Sequence, residues 1–318
     1  MSLSTKLPFF IIIDDGAFPK VHGNRGELIP FSAYETILRL AETFNMRIPI
    51  CFTMGYMDLG RRSSQTTPLP YAEKLIKFIK RNEHRIEFGE HGLYHRFKET
   101  TYEYYNPDTD DGPSEIEQQQ KIKIIGDIFK DIGRPFPTLQ VPPAHGWQPG
   151  VTDRLYAQAG IRDTVSYRWK KYTLSLQDLT NPKRLYKGLS SYAYIWPDSE
   201  YTNFFPRASM GIIASDYNPH GSLFTEKVKR YIQPSAYPYR RLLHRAKNQF
   251  AVHSYMTHIA NFAGPDAFDF WSGLFRWVEN SDHLVLAHDN EEAKSFYLAL
   301  PGSLKPFSGQ NQANEDVS

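Results

Sequence analysis

Short apolar runs alternate with amphipathic stretches along most of the chain, and this alternation limits the possible folds more than any other feature. Runs such as Phe9–Ile13 and Ile48–Phe52 have the length and residue types of buried strands. A stretch such as Ser32–Phe44 places its apolar residues on one side of a helix. Strands that alternate with helices form βαβ units, which assemble into a mainly parallel sheet.

The alternation predicts an α/β fold, a distorted (β/α) barrel of seven or eight parallel strands, because that many βαβ strands in about 290 residues fit a closed barrel better than an open sheet. The predicted strands are Phe9–Ile13, Ile48–Phe52, Ile86–Phe88, Thr138–Val141, Thr164–Tyr167, Gly211–Ala214, Phe250–His253 and His283–Leu286. The predicted helices are Ser32–Phe44, Tyr71–Arg81, Ser114–Ile132, Thr152–Ala159 and Phe268–Glu279.

The predicted barrel occupies residues 1–300 as one domain. The segment around 170–207 is irregular and rich in Tyr, Trp and Pro, and we interpret it as an insertion on the barrel. Residues 301–318 are polar and are expected to form a flexible tail.

Charge and cysteine content exclude several classes of protein. A formal charge of +2 gives no global field for nucleic acid. The single cysteine, Cys51, excludes an internal disulfide and a zinc site made of cysteines alone. The apolar run before Asp14 is too short to span a membrane and has no signal-peptide cleavage pattern. We therefore expect a cytoplasmic protein with no membrane or nucleic-acid partner; the oligomeric state stays open.

Two adjacent carboxylates, Asp14 and Asp15, follow the first predicted strand. Such a pair is costly unless a cation or another partner offsets the repulsion. Neighbours in an extended segment point to opposite sides, so one acid could bind a cation while the other acts as a base. The competing interpretation is an ordinary turn, since Asp-Gly is a common turn pair.

Two histidines, His91 and His95, follow the third predicted strand at a spacing that lets both side chains reach one ion. A lone His-x-x-x-His pair is a weak signal. Reacting groups of (β/α) barrels gather at the carboxyl ends of the strands, however, and Asp14-Asp15 stands at another such end. One aspartate and two histidines form a ligand set for a divalent metal, with zinc as the first expectation.

Two further segments follow predicted strands. Pro142 and Pro143 would make a rigid loop, and Trp147 could line a cleft next to it. His253 follows the apolar residues Phe250-Ala-Val252, and a histidine that leaves a strand can serve as a general acid.

These residues, in this order, resemble the motifs of the NodB-type polysaccharide deacetylases. In that family the first motif ends in Asp-Asp, the second is His-x-x-x-His, the third contains proline and forms a groove wall, and a late strand ends in a histidine. The resemblance extends over residues 8–290, and the first two motifs are its specific part. The His-Gly-x-x-His form and the Pro-Pro loop are more similar to divergent branches of the family than to chitin or peptidoglycan deacetylases.

The resemblance implies a role for each residue. Asp14 would be the base that takes a proton from the attacking water, and His253 the acid that protonates the leaving group. Asp15, His91 and His95 would hold a divalent metal. The expected substrate-binding residues are Pro143, Trp147 and Tyr94. A fourth-motif aspartate, which tunes the acid, would be Asp163.

Some assignments depart from the family pattern. Gln140 and Val141 stand where the third motif often has an arginine paired with the base. The acid could also be His258 or His288, because Leu284-Val-Leu-Ala-His288 matches a Leu-x-x-His pattern.

The resemblance implies a metal-dependent hydrolase that removes acetyl groups from an amino sugar or an acetylated glycan. One alternative is hydrolysis of a small non-sugar amide, as in allantoinase-like relatives. Another is a glycan-binding barrel without turnover, although a binding protein has no need of a base beside the metal ligand.

Overall fold

The fold was analysed in a computed structural model, which describes residues 6–17, 20–21, 24–25, 28–63, 68–96, 102–106, 109, 111–166, 168–171, 192–195, 199–209 and 253–301. The strands are β1 (Leu7–Phe9), β2 (Ile11–Gly16), β3 (Lys20–Val21), β4 (Asn24–Arg25), β5 (Ile48–Phe52), β6 (Ile86–Glu90), β7 (Leu139–Gln140), β8 (Asp163–Ser166), β9 (Arg168–Lys171), β10 (Tyr192–Ile195), β11 (Asn203–Ser209), β12 (Ser254–His258) and β13 (Leu284–Leu286). The α-helices are α1 (Phe31–Thr43), α2 (Leu69–Arg81), α3 (Glu115–Asp131), α4 (Thr152–Ala159), α5 (Ala267–Glu279) and α6 (Asn290–Ala299).

Seven of these strands close into a barrel in the order β11-β12-β2-β5-β6-β7-β8, and β8 returns to β11. Every pair in the ring is parallel. The predicted (β/α) barrel of seven or eight parallel strands is therefore confirmed. Because all strands run the same way, the residues that follow them gather at one end of the barrel, here called the carboxyl end.

β2 lies at the centre of the apolar core. Its residues Ile11, Ile12 and Ile13 are fully buried, and it pairs with β5 on one side and β12 on the other. A strand that is buried on both faces has a continuous apolar sequence instead of an alternating one, which is why the run ending at Ile13 is so clear in the sequence. The two acids that follow are held at the carboxyl end by this buried strand.

Several predicted helix ends are confirmed by local hydrogen bonds. Ser114 caps α3: its side chain accepts from the backbone N–H of Glu117, whose carboxylate accepts in return from the N–H of Ser114. α4 ends at Gly160, which has a left-handed φ of 119° that favours glycine.

The structure and the sequence prediction differ in the bounds and pairing of several elements. The first predicted strand is divided at Phe10 into β1, which pairs with β13, and β2. Part of the predicted 170–207 insertion is the barrel strand β11, while β9 and β10 form an antiparallel pair outside the barrel. The described late strand is Ser254–His258; of the predicted strand Phe250–His253, residues 250–252 lie outside the described residues and His253 directly precedes the strand.

Other predictions concern segments that the structure leaves undescribed. The predicted strand Gly211–Ala214 and the tail beyond Pro301 lie outside the described residues. Among the helices of the described segments, none has both the length and the apolar character needed to cross a membrane.

Gly89 of β6 lies at a position where the neighbouring strand leaves no space for a side chain. It pairs with Cys51 of β5, and a β-carbon at Gly89 would overlap the Cys51 sulfur. We expect Gly89→Ala to lower the free energy of unfolding by about 1–3 kcal/mol, because a close-packed interior has no space for the added methyl group. Urea denaturation measures the change.

Cys51→Ala provides the matched test of this explanation. Removing the sulfur should recover most of the loss when the two changes are combined, so that their effects are strongly non-additive. Additive effects would contradict the proposed overlap.

Candidate active site

A bulge in β2 places the two aspartates. Ile13 pairs with Ile50 and Gly16 with Phe52, so β2 contains one residue more than β5 over this interval. Asp15 has a left-handed φ of 58° within it. Bulges of this kind redirect side chains next to active sites. The expectation that the two carboxylates point to opposite sides of an extended strand is therefore wrong: both approach the imidazole of His258.

His91 directly follows β6, and two hydrogen bonds fix its position. Its backbone N–H donates to the carbonyl of Phe52 at 2.9 Å. Its ring Nδ1 lies 2.6 Å from the carbonyl oxygen of Val141. A carbonyl can only accept, so Nδ1 carries the proton and Nε2 is left with a free lone pair. This arrangement selects the tautomer that a metal ligand needs.

Asp15, His91 and His95 meet at one point. The Oδ1 atom of Asp15 lies 3.5 Å from Nε2 of His91 and 3.5 Å from Nε2 of His95. The possible ligand atoms of the three residues all lie within 4.8 Å of one another. These residues could hold a divalent metal ion, with positions left for water and substrate.

Buried polar atoms support a cation at this point. Oδ1 of Asp15 and Nε2 of His91 are both buried and have no hydrogen-bond partner among the described residues, although each faces the other. Burying such atoms without a partner is costly. A metal ion between them would satisfy both, so the residues present fit the group that the motifs imply.

The charges of the site favour an ionised Asp15. Burial opposes ionisation of its carboxyl group, but the adjacent His91 and the charges of His95 and His258 outweigh burial and hold its pKa below the usual range. Burial likewise opposes protonation of His91, but Asp15 and Asp14 raise its pKa. At His95, burial prevails and lowers the pKa.

His258 is the histidine that the late strand brings to the acids. It ends β12, where it pairs in register with Asp14. Its Nε2 lies 3.8 Å from Oδ1 of Asp14 and 3.5 Å from Oδ2 of Asp15. Its side chain is 29% exposed and that of Asp15 is 19% exposed, so the cluster is open to solvent while Asp14 is almost fully buried.

The structure does not bring His253 to this cluster, which corrects the sequence prediction. His253 precedes β12 and lies at the amino end of the barrel strands, in contact with the rings of Phe10, Phe205 and Tyr297. His258 stands five positions further along the chain, which in an extended strand is a distance of about 16 Å at the usual rise per residue. It cannot donate a proton to a substrate held beside Asp14.

The other two acid-related predictions also lie away from the cluster. Asp163 begins β8 at the amino end of the barrel, where it accepts hydrogen bonds from Asn203, Asn290 and Lys294. His288 follows β13, which is outside the barrel ring, and its Nδ1 lies 2.8 Å from a carboxylate oxygen of Glu292.

The predicted substrate-binding residues are placed differently from one another. Pro143 is buried and packs against Gly92, next to His91. Tyr94 is partly buried beside His95. Trp147 is only 1% exposed, so its ring packs inside the protein and offers no face to a substrate. The expectation that Trp147 lines an open cleft is therefore wrong in this structure.

Two buried carboxylates near the site were missed by the sequence interpretation. Glu90 and Glu103 are both fully buried. Burial and the nearby Glu103 raise the pKa of Glu90 to about 8. Glu90 stands directly before His91, which is a usable signal, whereas Glu103 lies in a stretch with no helical or strand periodicity.

Among the comparisons with known proteins, the one with solved structures finds matches. No family model matches the chain, and no curated protein does. A CE4 family pseudoenzyme from Bacillus anthracis matches 91% of this chain and 66% of its own, with 8% identity and a TM-score of 0.48. A mutant of the peptidoglycan deacetylase PdaC from Bacillus subtilis matches 93% of this chain and 95% of its own, with 17% identity and a TM-score of 0.42.

A third match is the Xyl-CE4 domain of a multidomain xylanase from the hindgut metagenome of Trinervitermes trinervoides. It covers 91% of this chain and 90% of its own, with 7% identity and a TM-score of 0.43. The first and third of these structures are CE4 proteins, and the second is a peptidoglycan deacetylase. The present chain spans just under two thirds of the pseudoenzyme. At these identities and TM-scores, its chemistry has to be argued from its own residues.

We expect the purified protein, loaded with Zn²⁺ and desalted, to retain one ion per chain. His91→Ala and Asp15→Ala should each remove most of it, because each takes away one of three ligands. Elemental analysis measures the content. His288→Gln is the matched control, since it removes a histidine outside the cluster and should retain the ion. Equal metal content in all four proteins would contradict the assigned ligands.

His253 should make the folded protein sensitive to acid. Burial lowers its pKa to about 3, so the folded state keeps the ring neutral while the unfolded chain takes up a proton below its ordinary value of 6.5. Stability that is present above that value is therefore lost as the pH falls. Between pH 7 and pH 5, wild type should lose about 2 kcal/mol more than His253→Phe. Urea denaturation at each pH checks this, and parallel pH curves would contradict it.

Proposed function

We propose that this chain is a metal-dependent hydrolase that removes acetyl groups from an amino sugar or an acetylated glycan. The observation that supports the proposal most directly is the meeting of Asp15, His91 and His95 at one point, with Asp14 and His258 beside it at the carboxyl end of the barrel. Asp14, Asp15 and His258 form a second group whose ligand atoms lie within 4.8 Å of one another, and we assign the first group to the metal because it leaves Asp14 and His258 for proton transfer.

Asp14 has the position of a general base. Its carboxylate is almost fully buried next to Asp15, and it belongs to the same bulge. A water molecule placed at the metal site would lie within reach of it, and a carboxylate at that distance can accept a proton as the water attacks the acyl carbon. Gln140 and Val141 stand near the position where the resemblance implies an arginine paired with the base, and the amide of Gln140 donates to the hydroxyl of Thr164.

His258 has the position of the general acid. It faces both aspartates from the neighbouring strand, β12, and its ring is partly open to solvent. A protonated imidazole there can donate to the amine or alcohol that leaves when the acyl–N or acyl–O bond breaks. This replaces the sequence assignment of His253.

A divalent cation held by Asp15, His91 and His95 would supply Lewis-acid chemistry: it would polarise the acyl oxygen and make water a stronger nucleophile at neutral pH. The protein would hold these three side chains in position before the cation binds. The backbone carbonyl of Val141 orients His91, and the bulge in β2 turns Asp15 toward both imidazoles. Zinc suits this donor set, and other first-row metals are compatible with it.

The direct test is acetate release by Zn²⁺-loaded protein from acetylated chitooligosaccharides and acetylated xylan. Asp14→Asn and His258→Gln should each lower kcat/KM by about 100- to 10,000-fold, since each removes one proton-transfer group. His253→Phe and His288→Gln should remain close to wild type, because both residues lie away from the cluster.

The same assay separates the alternatives. Hydrolysis of allantoin with no acetate release from the glycans would support a small-amide hydrolase. Glycan binding without acetate release would support a binding barrel. Either result would overturn the proposed deacetylase, and full activity of Asp14→Asn would overturn the assigned base.

A further inference from the structure

We propose that Glu103 is a positioning residue for the metal site: its buried carboxylate holds the loop that carries His91 and His95 in the shape required for metal binding. This inference rests on the proposed function in one respect, namely that the two histidines hold a metal ion. Glu103 lies outside the His-x-x-x-His motif. None of the described contacts joins its carboxylate to the imidazole of His91 or His95.

Glu103 accepts three consecutive backbone hydrogen bonds from this loop. Its Oε1 accepts from the N–H of Leu93 at 3.1 Å. Its Oε2 accepts from the N–H of Tyr94 at 3.0 Å and of His95 at 2.8 Å. Successive amides that point to one carboxylate form a concave anion site, which here is occupied by the protein's own side chain.

Neighbouring residues also restrict the backbone conformation of this loop. The N–H of Gly92 donates to the carboxylate of Glu90, so four amides in a row are held by two buried acids. Gly92 has a φ of 78°, and a β-carbon there would overlap Glu103 and Pro143. Glycine is therefore required at this position because the Glu103 carboxylate occupies the space.

The Glu103 carboxylate holds the backbone of His95 in an unusual conformation. The His95 φ of 58° lies in the left-handed region, which is unfavourable for a residue with a side chain. Such a conformation persists where surrounding contacts fix it. The hydrogen bond from the His95 N–H to Glu103 is the shortest of the three, and it turns the ring of His95 toward Asp15 and His91.

Lys121 of α3 anchors the carboxylate. Its ammonium group lies 3.8 Å from Oε1 of Glu103 and donates to the backbone carbonyl of Glu103 at 3.1 Å. The helix thus connects to the loop through one buried acid. Groups that hold metal ligands from behind typically change metal affinity by 10- to 100-fold when altered.

The test measures Zn²⁺ affinity of the full chain by competition with a chromophoric chelator. Glu103→Gln keeps the shape of the side chain but replaces one accepting oxygen by an NH₂ donor, which faces a loop N–H. We expect its Kd for Zn²⁺ to rise by about 10- to 100-fold at unchanged stoichiometry. The visible absorption of the Co²⁺-loaded protein should change as well, since it reports the geometry of the ligands.

Asp163→Asn is the matched control. Asp163 is also a buried carboxylate with several hydrogen bonds, but it lies at the amino end of the barrel. Asp163→Asn should lower the melting temperature of the protein and leave its Zn²⁺ affinity and Co²⁺ spectrum as in wild type. Glu103→Asp, which keeps the charge but is one methylene shorter, replaces Glu103→Gln if circular dichroism shows that the latter does not fold.

Each outcome decides the inference. Weaker metal binding in the Glu103 variant with wild-type binding in Asp163→Asn supports it. Wild-type affinity and spectrum in a folded Glu103 variant overturn it, while the proposed function survives. Absence of Zn²⁺ binding by the wild-type protein overturns both the positioning role and the metal-dependent function.

Discussion

The site depends on the parallel pairing of β2 with its two neighbours in the barrel. On one side, β12 pairs with β2 so that His258 stands opposite Asp14. On the other side, the bulge against β5 adds one residue to β2 and turns Asp15 toward the histidines. A shift of either pairing by one residue would turn the side chains to the other face and separate the acids from their partners.

Around this strand, fixed hydrogen bonds satisfy the buried polar groups of the protein. The loop after β6 donates four amides in succession to Glu90 and Glu103, and the ring of His91 donates to the carbonyl of Val141. These groups are oriented before any ligand arrives. A preformed, partly exposed cluster with an ionised Asp15 is the arrangement that the proposed function requires, because a cation held there would stabilise charge that develops on a substrate.

The sequence predicted the barrel because its buried strands have continuous apolar runs, and Ile48–Phe52 was placed with the correct ends. It also predicted the acids and the two histidines, because each pair directly follows such a run. It missed the late strand Ser254–His258. The apolar content of Phe250–His253 favoured that segment, whereas the strand that pairs with β2 contains the polar residues Ser254, Thr257 and His258. That shift placed the acid on His253.

The sequence by itself determined the α/β alternation and the presence of Asp14, Asp15, His91 and His95 at strand ends, since both follow from local hydrophobicity and spacing. The tertiary structure alone decided which late histidine faces the acids, that Trp147 is buried, and that Glu103 accepts hydrogen bonds from the loop after β6. The physical reason is that strand register, burial of a given ring and backbone-to-carboxylate hydrogen bonds depend on residues far apart in the chain, which no local pattern encodes.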